Sequence, residues 1–133
     1  MGVSHFYTRH LNMTKILVID DEELMRKLMK KMLMRDGHDV FIARDGVDGV
    51  EQFHQINPDL VITDMVMPNK DGYEVIKELL ATNAKLPIIA MSGGRRLVTD
   101  GFDSIEKLGS KGILQKPFTQ QQLREMIEIA LST

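Results

Sequence analysis

Five side chains in this sequence could together handle a phosphoryl group: Asp20, Asp21, Asp64, Ser92 and Lys116. Each stands at the end of a short apolar run. KILVI precedes Asp20 and Asp21, LVIT precedes Asp64, PIIAM precedes Ser92, and GILQ precedes Lys116. Runs of this length suit strands buried on both faces of a parallel sheet. If those strands are neighbours, their carboxyl ends share one edge, which is where open α/β sheets bind ligands. Three acids, a hydroxyl and an ammonium would then meet in one pocket, a set suited to a hard divalent cation plus a phosphoryl group.

Asp20 and Asp21 are adjacent carboxylates, and holding both ionised in a cleft is costly unless a cation sits there. Magnesium prefers about six hard oxygen ligands and keeps several waters. One or two carboxylates, a backbone carbonyl from the loop after Asp64 and a phosphate oxygen would complete its shell. The bland alternative is that Asp20 and Asp21 only cap the helix that follows. Asp64, at the matching place on another strand, argues for the metal. Asp64 is also the candidate nucleophile, since a carboxylate can attack phosphorus to give an acyl phosphate. A metal and a cation on the phosphoryl oxygens would reduce the anion–anion repulsion. Lys116, held at a strand end by Gln115 and Pro117, can supply that cation; the competing reading is a solvated surface charge. Ser92 offers a hydroxyl, with Gly93 and Gly94 behind it allowing close backbone approach. Arg95 and Arg96 flank the site and read as solvated loop charge.

The elements that must position these groups alternate between strand and helix, the pattern of an α/β fold. Strand one covers about 15–19. A helix over 22–35 spaces Met25, Leu28, Met29, Met32 and Leu33 as a buried stripe, the methionines acting as core filler. Asp36-Gly37 ends it, and strand two follows over 39–43. Helix two covers about 46–55, although Gly46 and Gly49 each weaken it by about 1 kcal/mol. Asn57-Pro58 stops it. Strand three covers 60–63 and helix three starts at Tyr73, burying Val75, Ile76, Leu79 and Leu80. Strand four covers 88–91. A fourth helix spaces Val98, Phe102, Ile105 and Leu108. Strand five covers about 113–115. Thr119 and Gln122 form a capping-box pattern at the start of a fifth helix, whose stripe is Leu123, Met126, Ile127, Ala130 and Leu131. Right-handed crossovers would then give a three-layer sandwich.

Composition narrows the function classes. With 133 residues, 43% hydrophobic and 27% charged, the chain suits one ordinary globular domain. A net charge of −2 shows no basic surplus pointing to nucleic acid. No apolar run approaches the ~20 residues of a membrane span. Cysteine is absent, which excludes disulfides, thiolate catalysis and cysteine zinc sites. A cytoplasmic location fits. Residues 1–12 lack acids and apolar periodicity, and read as a disordered leader added for expression. The domain is expected over 13–133.

The motifs KILVIDDE, LVITDMVMPNKDGYEVIKEL, LPIIAMSG and LGSKGILQKPF resemble, in type and order, the receiver domain of bacterial two-component response regulators, like that of the chemotaxis regulator. The resemblance runs from Lys15 to Leu131. It implies a flavodoxin-like fold with a five-stranded parallel sheet in the order 2-1-3-4-5 and five helices. Asp64 matches the phosphoacceptor and Asp21 the direct magnesium ligand, while Asp20 matches the acid that acts mainly through water. Val66 matches the residue whose backbone carbonyl binds the metal. Ser92 matches the switch hydroxyl, and Lys116 the lysine that pairs with the phosphoryl group. The Lys116–Pro117 peptide is expected to be cis. One position departs: the family commonly has Tyr or Phe where this chain has Ile113. The usual coupling of the switch hydroxyl to an inward-moving ring is therefore not expected.

The first reading is a phosphorylation switch. A sensor histidine kinase or phosphotransfer protein would carry the phosphohistidine, and Asp64 would take the phosphoryl group with Mg2+. The domain would catalyse only its own phosphorylation and dephosphorylation. Its helix 4–strand 5–helix 5 face would meet an output domain, a target protein or a second copy. No direct nucleic-acid or membrane contact is expected. Three alternatives compete. A docking pseudo-receiver would never be phosphorylated. An aspartate-nucleophile phosphatase of the haloacid dehalogenase type wants an acid where Val66 stands. A flavin module would have its phosphate repelled by Asp20-Asp21-Glu22-Glu23.

Overall fold

A computed structural model of the chain describes residues 14–93 and 111–132. Five strands form one parallel sheet: β1 (Lys15–Ile19), β2 (Asp39–Ala43), β3 (Leu60–Asp64), β4 (Ile88–Ser92) and β5 (Gly112–Gln115). Their order is β2-β1-β3-β4-β5. Among the described residues four helices intervene: α1 (Glu23–Arg35), α2 (Gly46–Ile56), α3 (Gly72–Thr82) and α4 (Gln120–Leu131). The last is the fifth helix of the sequence reading. The helix expected around Val98–Leu108, the arginine pair at 95 and 96, and the leader over 1–12 lie outside the described residues.

Every residue of β3 and β4 is buried, as expected for central parallel strands covered on both faces. Alternate residues feed two cores. Leu17, Ile19, Val61, Ile88 and Ala90 pack with Phe53, Val75, Ile76 and Leu79 under α2 and α3. Ile16, Val18, Leu60, Ile62, Ile89 and Met91 pack with Met29, Leu33, Leu123 and Ile127 under α1 and α4. The result is the expected flavodoxin-like sandwich.

Helix termini follow local chemistry. Thr119 and Gln122 form the expected capping box on α4. Asp71 and Glu74 form a second one, which starts α3 at Gly72 rather than Tyr73. Asp45 caps α2 by accepting from Asp48 N–H. The two glycines of α2 have a packing reason. A Cβ at Gly46 would strike the Lys70 carbonyl, and one at Gly49 would strike the Ile19 side chain. α2 therefore lies closer to β1 and to the β3–α3 loop than any larger residue permits, which accounts for a helix that propensity alone disfavours.

Two stripe residues are not buried as expected. Leu28 is 47% exposed and Leu131 is 37% exposed. Both lie at the margin of their helix's apolar arc, where period sets the phase but not the width. Met29 is fully buried, and Met25 and Met32 pack against the same core, so the methionine stripe is core filler.

Candidate functional site

The sheet's carboxyl edge gathers the five chemistry-bearing residues. Asp20 follows β1 directly, Asp64 and Ser92 are the last residues of β3 and β4, and Lys116 follows β5. Ladder register sets their relative heights: Asp64 pairs with Met91 and Ser92 with Gln115. Two further backbone bonds carry the alignment past the strands, from Met65 N–H to Met91 O at 3.1 Å and from Lys116 N–H to Ser92 O at 2.7 Å.

Asp20 is fully buried. Its Oδ1 accepts from Glu22 N–H at 2.8 Å, and its Oδ2 accepts from Lys116 Nζ at 3.2 Å. Its main-chain carbonyl is held by Arg26 at 2.9 Å. So Asp20 does steady the entry to α1, as the capping alternative held, but it also faces the lysine. Asp21 is exposed. One carboxylate oxygen from each of Asp20, Asp21 and Asp64 can lie within 4.8 Å of the others, close enough for one cation to touch all three.

Asp64 is 6% exposed. Its Oδ1 accepts from Met65 N–H at 3.0 Å and lies 3.4 Å from Lys116 Nζ. Among the described residues its Oδ2 has no hydrogen-bond partner. Burial pushes the Asp64 carboxyl up to about 6; the Lys116 charge opposes this and the Asp20 carboxylate adds to it. Burial acts on Lys116 in the opposite sense, but the Asp64 and Asp20 carboxylates outweigh it and hold the ammonium above its ordinary value. Lys116 Nζ also lies 3.8 Å from Glu22 Oε1. One cation is thus shared among three acids. Glu22 was missed as a neighbour of the lysine, because 94 positions separate them and only the β1–β3–β4–β5 order brings them together.

Ser92 is fully buried, and its Oγ has no hydrogen-bond partner among the described residues. A buried hydroxyl without a partner is uncommon and has donor capacity for an incoming oxygen. Gly93 leaves room for the Lys116 stem: a Cβ there would stand 3.2 Å from Lys116 Cδ. Val66 is 55% exposed at the mouth. The Lys116–Pro117 peptide is cis. Ile113 pairs with Ala90, is half-buried, and packs against the α2–α3 core.

The donor set fits a hard cation. It offers carboxylate oxygens on three residues, neither sulfur nor imidazole, and an exposed flank where waters can complete a shell.

Comparison with known proteins identifies the family and the fold. A family model described as "Response regulator receiver domain" matches residues 16–128. The chain is 36% identical over 117 residues to a probable transcriptional regulator ycf27 of Guillardia theta, covering 88% of this chain and 45% of that protein. It is 32% identical over 119 residues to the alkaline phosphatase synthesis transcriptional regulatory protein PhoP of Bacillus subtilis, covering 88% and 48%. The chain therefore spans about half the length of these curated relatives. Among solved structures, a response regulator receiver domain protein from Clostridium thermocellum superposes with a TM-score of 0.85 at 33% identity, covering 90% of this chain and 95% of that one. Chemotaxis protein CheY4 of Vibrio cholerae gives 0.83 at 25% identity, covering 90% and 99%.

Proposed function

The chain belongs to the receiver-domain family of two-component response regulators, and on that premise we propose that Asp64 accepts a phosphoryl group from a phosphohistidine. The donor is a sensor histidine kinase or a phosphotransfer protein. Asp64 carries the reading: one carboxylate oxygen is tied to Met65 N–H and Lys116, and the other, without a partner among the described residues, can attack. Burial raises the Asp64 carboxyl only to about 6, so the group is mostly ionised, and able to act as a nucleophile, at neutral pH.

The step balances simply. Asp64 Oδ2 forms a bond to phosphorus, the P–N bond to the donor imidazole breaks, and the imidazole nitrogen leaves with the electron pair and takes up a proton. The product is an aspartyl phosphate and a neutral histidine. Lys116, already 3.4 Å from Asp64, offsets the repulsion between attacking anion and phosphoryl oxygens. Ser92 Oγ, buried and without a partner among the described residues, donates to one of those oxygens. Asp20, Asp21, Asp64 and the Val66 main-chain carbonyl would hold Mg2+, which when bound would supply the remaining charge neutralisation. Water attack on the same phosphorus later returns the free carboxylate. The protein thus catalyses only its own modification, and its role is signalling.

Phosphorylation then biases partner contacts on the face containing β5 and α4. Exposed Ile129 and half-buried Ile113, Phe118 and Met126 line a shallow groove there. Curated relatives about twice as long, named as transcriptional regulators, support control of an attached output domain. A second copy or a separate target protein is the other use of that face. A cytoplasmic location beside the kinase is part of the same proposal; among the described residues no helix is long and apolar enough to cross a membrane.

Intact mass after incubation with acetyl phosphate and Mg2+ tests the chemistry. Wild type is expected to gain one phosphoryl group and Asp64→Ala none. Equal labelling of both proteins, or of neither, rejects the assignment.

A further inference from the structure

We infer that Thr63 is a positioning residue for the Asp64 nucleophile, acting through the Asp64 main chain; the inference rests on the proposed role of Asp64. Thr63 is fully buried and is the last residue of β3 with a partner on β1, namely Ile19. Asp64 stands one step beyond that ladder. Its carbonyl lies among buried groups, where a carbonyl needs a donor. The Thr63 hydroxyl donates to it at 3.0 Å. The same carbonyl oxygen occupies the space that a side chain at residue 72 would fill, which Gly72 leaves open. Gly72 N–H in turn bonds the Met65 carbonyl at 3.1 Å.

The hydroxyl and Gly72 contacts hold the backbone just after the Asp64 Cα, and the Thr63–Ile19 pairing holds it just before. The peptide they hold supplies the Met65 N–H that anchors Asp64 Oδ1 at 3.0 Å. Rotating that peptide would swing the N–H away and turn the free Oδ2 out of line with an incoming phosphorus. A hydroxyl in a strand otherwise built of Leu60, Val61 and Ile62 has no packing advantage over valine, which has nearly the same shape. What threonine adds is one donor, aimed at the carbonyl of the nucleophile. Near-attack geometry is sensitive to shifts of this kind.

The test compares Thr63→Val, which keeps the shape and removes the donor, with Thr63→Ser, which keeps the donor and removes a methyl. Phosphorylation by acetyl phosphate at saturating Mg2+ is followed by intact mass across donor concentrations. For Thr63→Val the limiting rate is expected to fall about tenfold, less than the ~100-fold of a 1 Å misplacement, with the half-saturating donor concentration unchanged. Thr63→Ser is expected to stay within about twofold of wild type in rate, although it loses more buried apolar volume. A purely structural threonine predicts the reverse order. Should valine prevent folding, Thr63→Ser against Thr63→Ala repeats the comparison with the hydroxyl as the sole difference. Equal rates for wild type and Thr63→Val, or equal losses for Ser and its donor-free counterpart, overturn the inference while leaving the Asp64 reaction in place. A wild type that takes up no phosphoryl group overturns both.

Discussion

Replacing Asp64 with asparagine should stabilise the metal-free protein at alkaline pH and leave it unchanged in acid. Asp64 is buried beside the Asp20 carboxylate, and its carboxyl is raised from the ordinary 3.8 to about 6. A carboxyl whose folded value exceeds its unfolded value contributes stability that is fully present below about pH 4 and lost as pH rises through about 6. At about 1.36 kcal/mol per pH unit, the raised value amounts to about 3 kcal/mol. The site opens to water past Asp21 and Val66, so screening reduces this to about 1–2 kcal/mol. Asparagine keeps the shape and never ionises. Urea unfolding in the presence of a chelator measures the difference. Far-ultraviolet circular dichroism is the natural probe, because the chain has no tryptophan. Asp64→Asn should exceed wild type by about 1–2 kcal/mol near pH 8, relative to their difference near pH 4. Added Mg2+ should then raise wild type more than the variant, since the variant lacks one of the three carboxylates. A stability difference that does not change with pH, or that grows toward acid, refutes the argument that burial and Asp20 outweigh Lys116 at this carboxyl.

Three further outcomes are expected. Lys116→Met leaves Asp20 and Asp64 buried without their cation and should cost about 2–4 kcal/mol near pH 8, with the loss shrinking toward pH 5 as Asp64 protonates; urea midpoints across that range check it. Gly72→Ala places a Cβ on the Asp64 carbonyl oxygen; it should cost about 1–3 kcal/mol and slow phosphorylation by acetyl phosphate, whereas unchanged values for both would contradict the close approach. Ile113 already packs with its core and carries no ring to swing, so structures with and without beryllofluoride should differ little at that side chain; a large inward displacement would contradict this.

Much of the architecture was legible because β1, β3 and β4 are covered on both faces, so that their sequences are unbroken apolar runs ended by the polar residue that emerges at the edge. Asp20, Asp64 and Ser92 announce themselves in this way. Lys116 was legible for the same reason, with proline behind it. What pattern could not supply was anything decided across the sheet. The pairing of Lys116 with Glu22 depends on strand order, and the burial of Asp20 beside an exposed Asp21 depends on how α1 leaves β1. α2 was hard to read because Gly46 and Gly49 oppose helix formation locally, and their reason lies in contacts with Lys70 and Ile19. The Asp71–Glu74 capping box was present in the sequence and passed over among turn residues. Thr63 looked like any β-branched strand residue; only the 3.0 Å bond to the Asp64 carbonyl distinguishes it.

Asp64 and Ser92 are themselves ladder residues, aligned by the same strand pairing that sets the positions of the buried Val61 and Ile89. Deleting one residue inside LVIT would turn the acid into the helix layer and a methyl group toward the mouth, since strand faces alternate at every step. Changes of length are therefore expected to be accommodated at the opposite rim, around Asn57 or Asn83, while one inside a strand is expected to abolish reactivity and folding together.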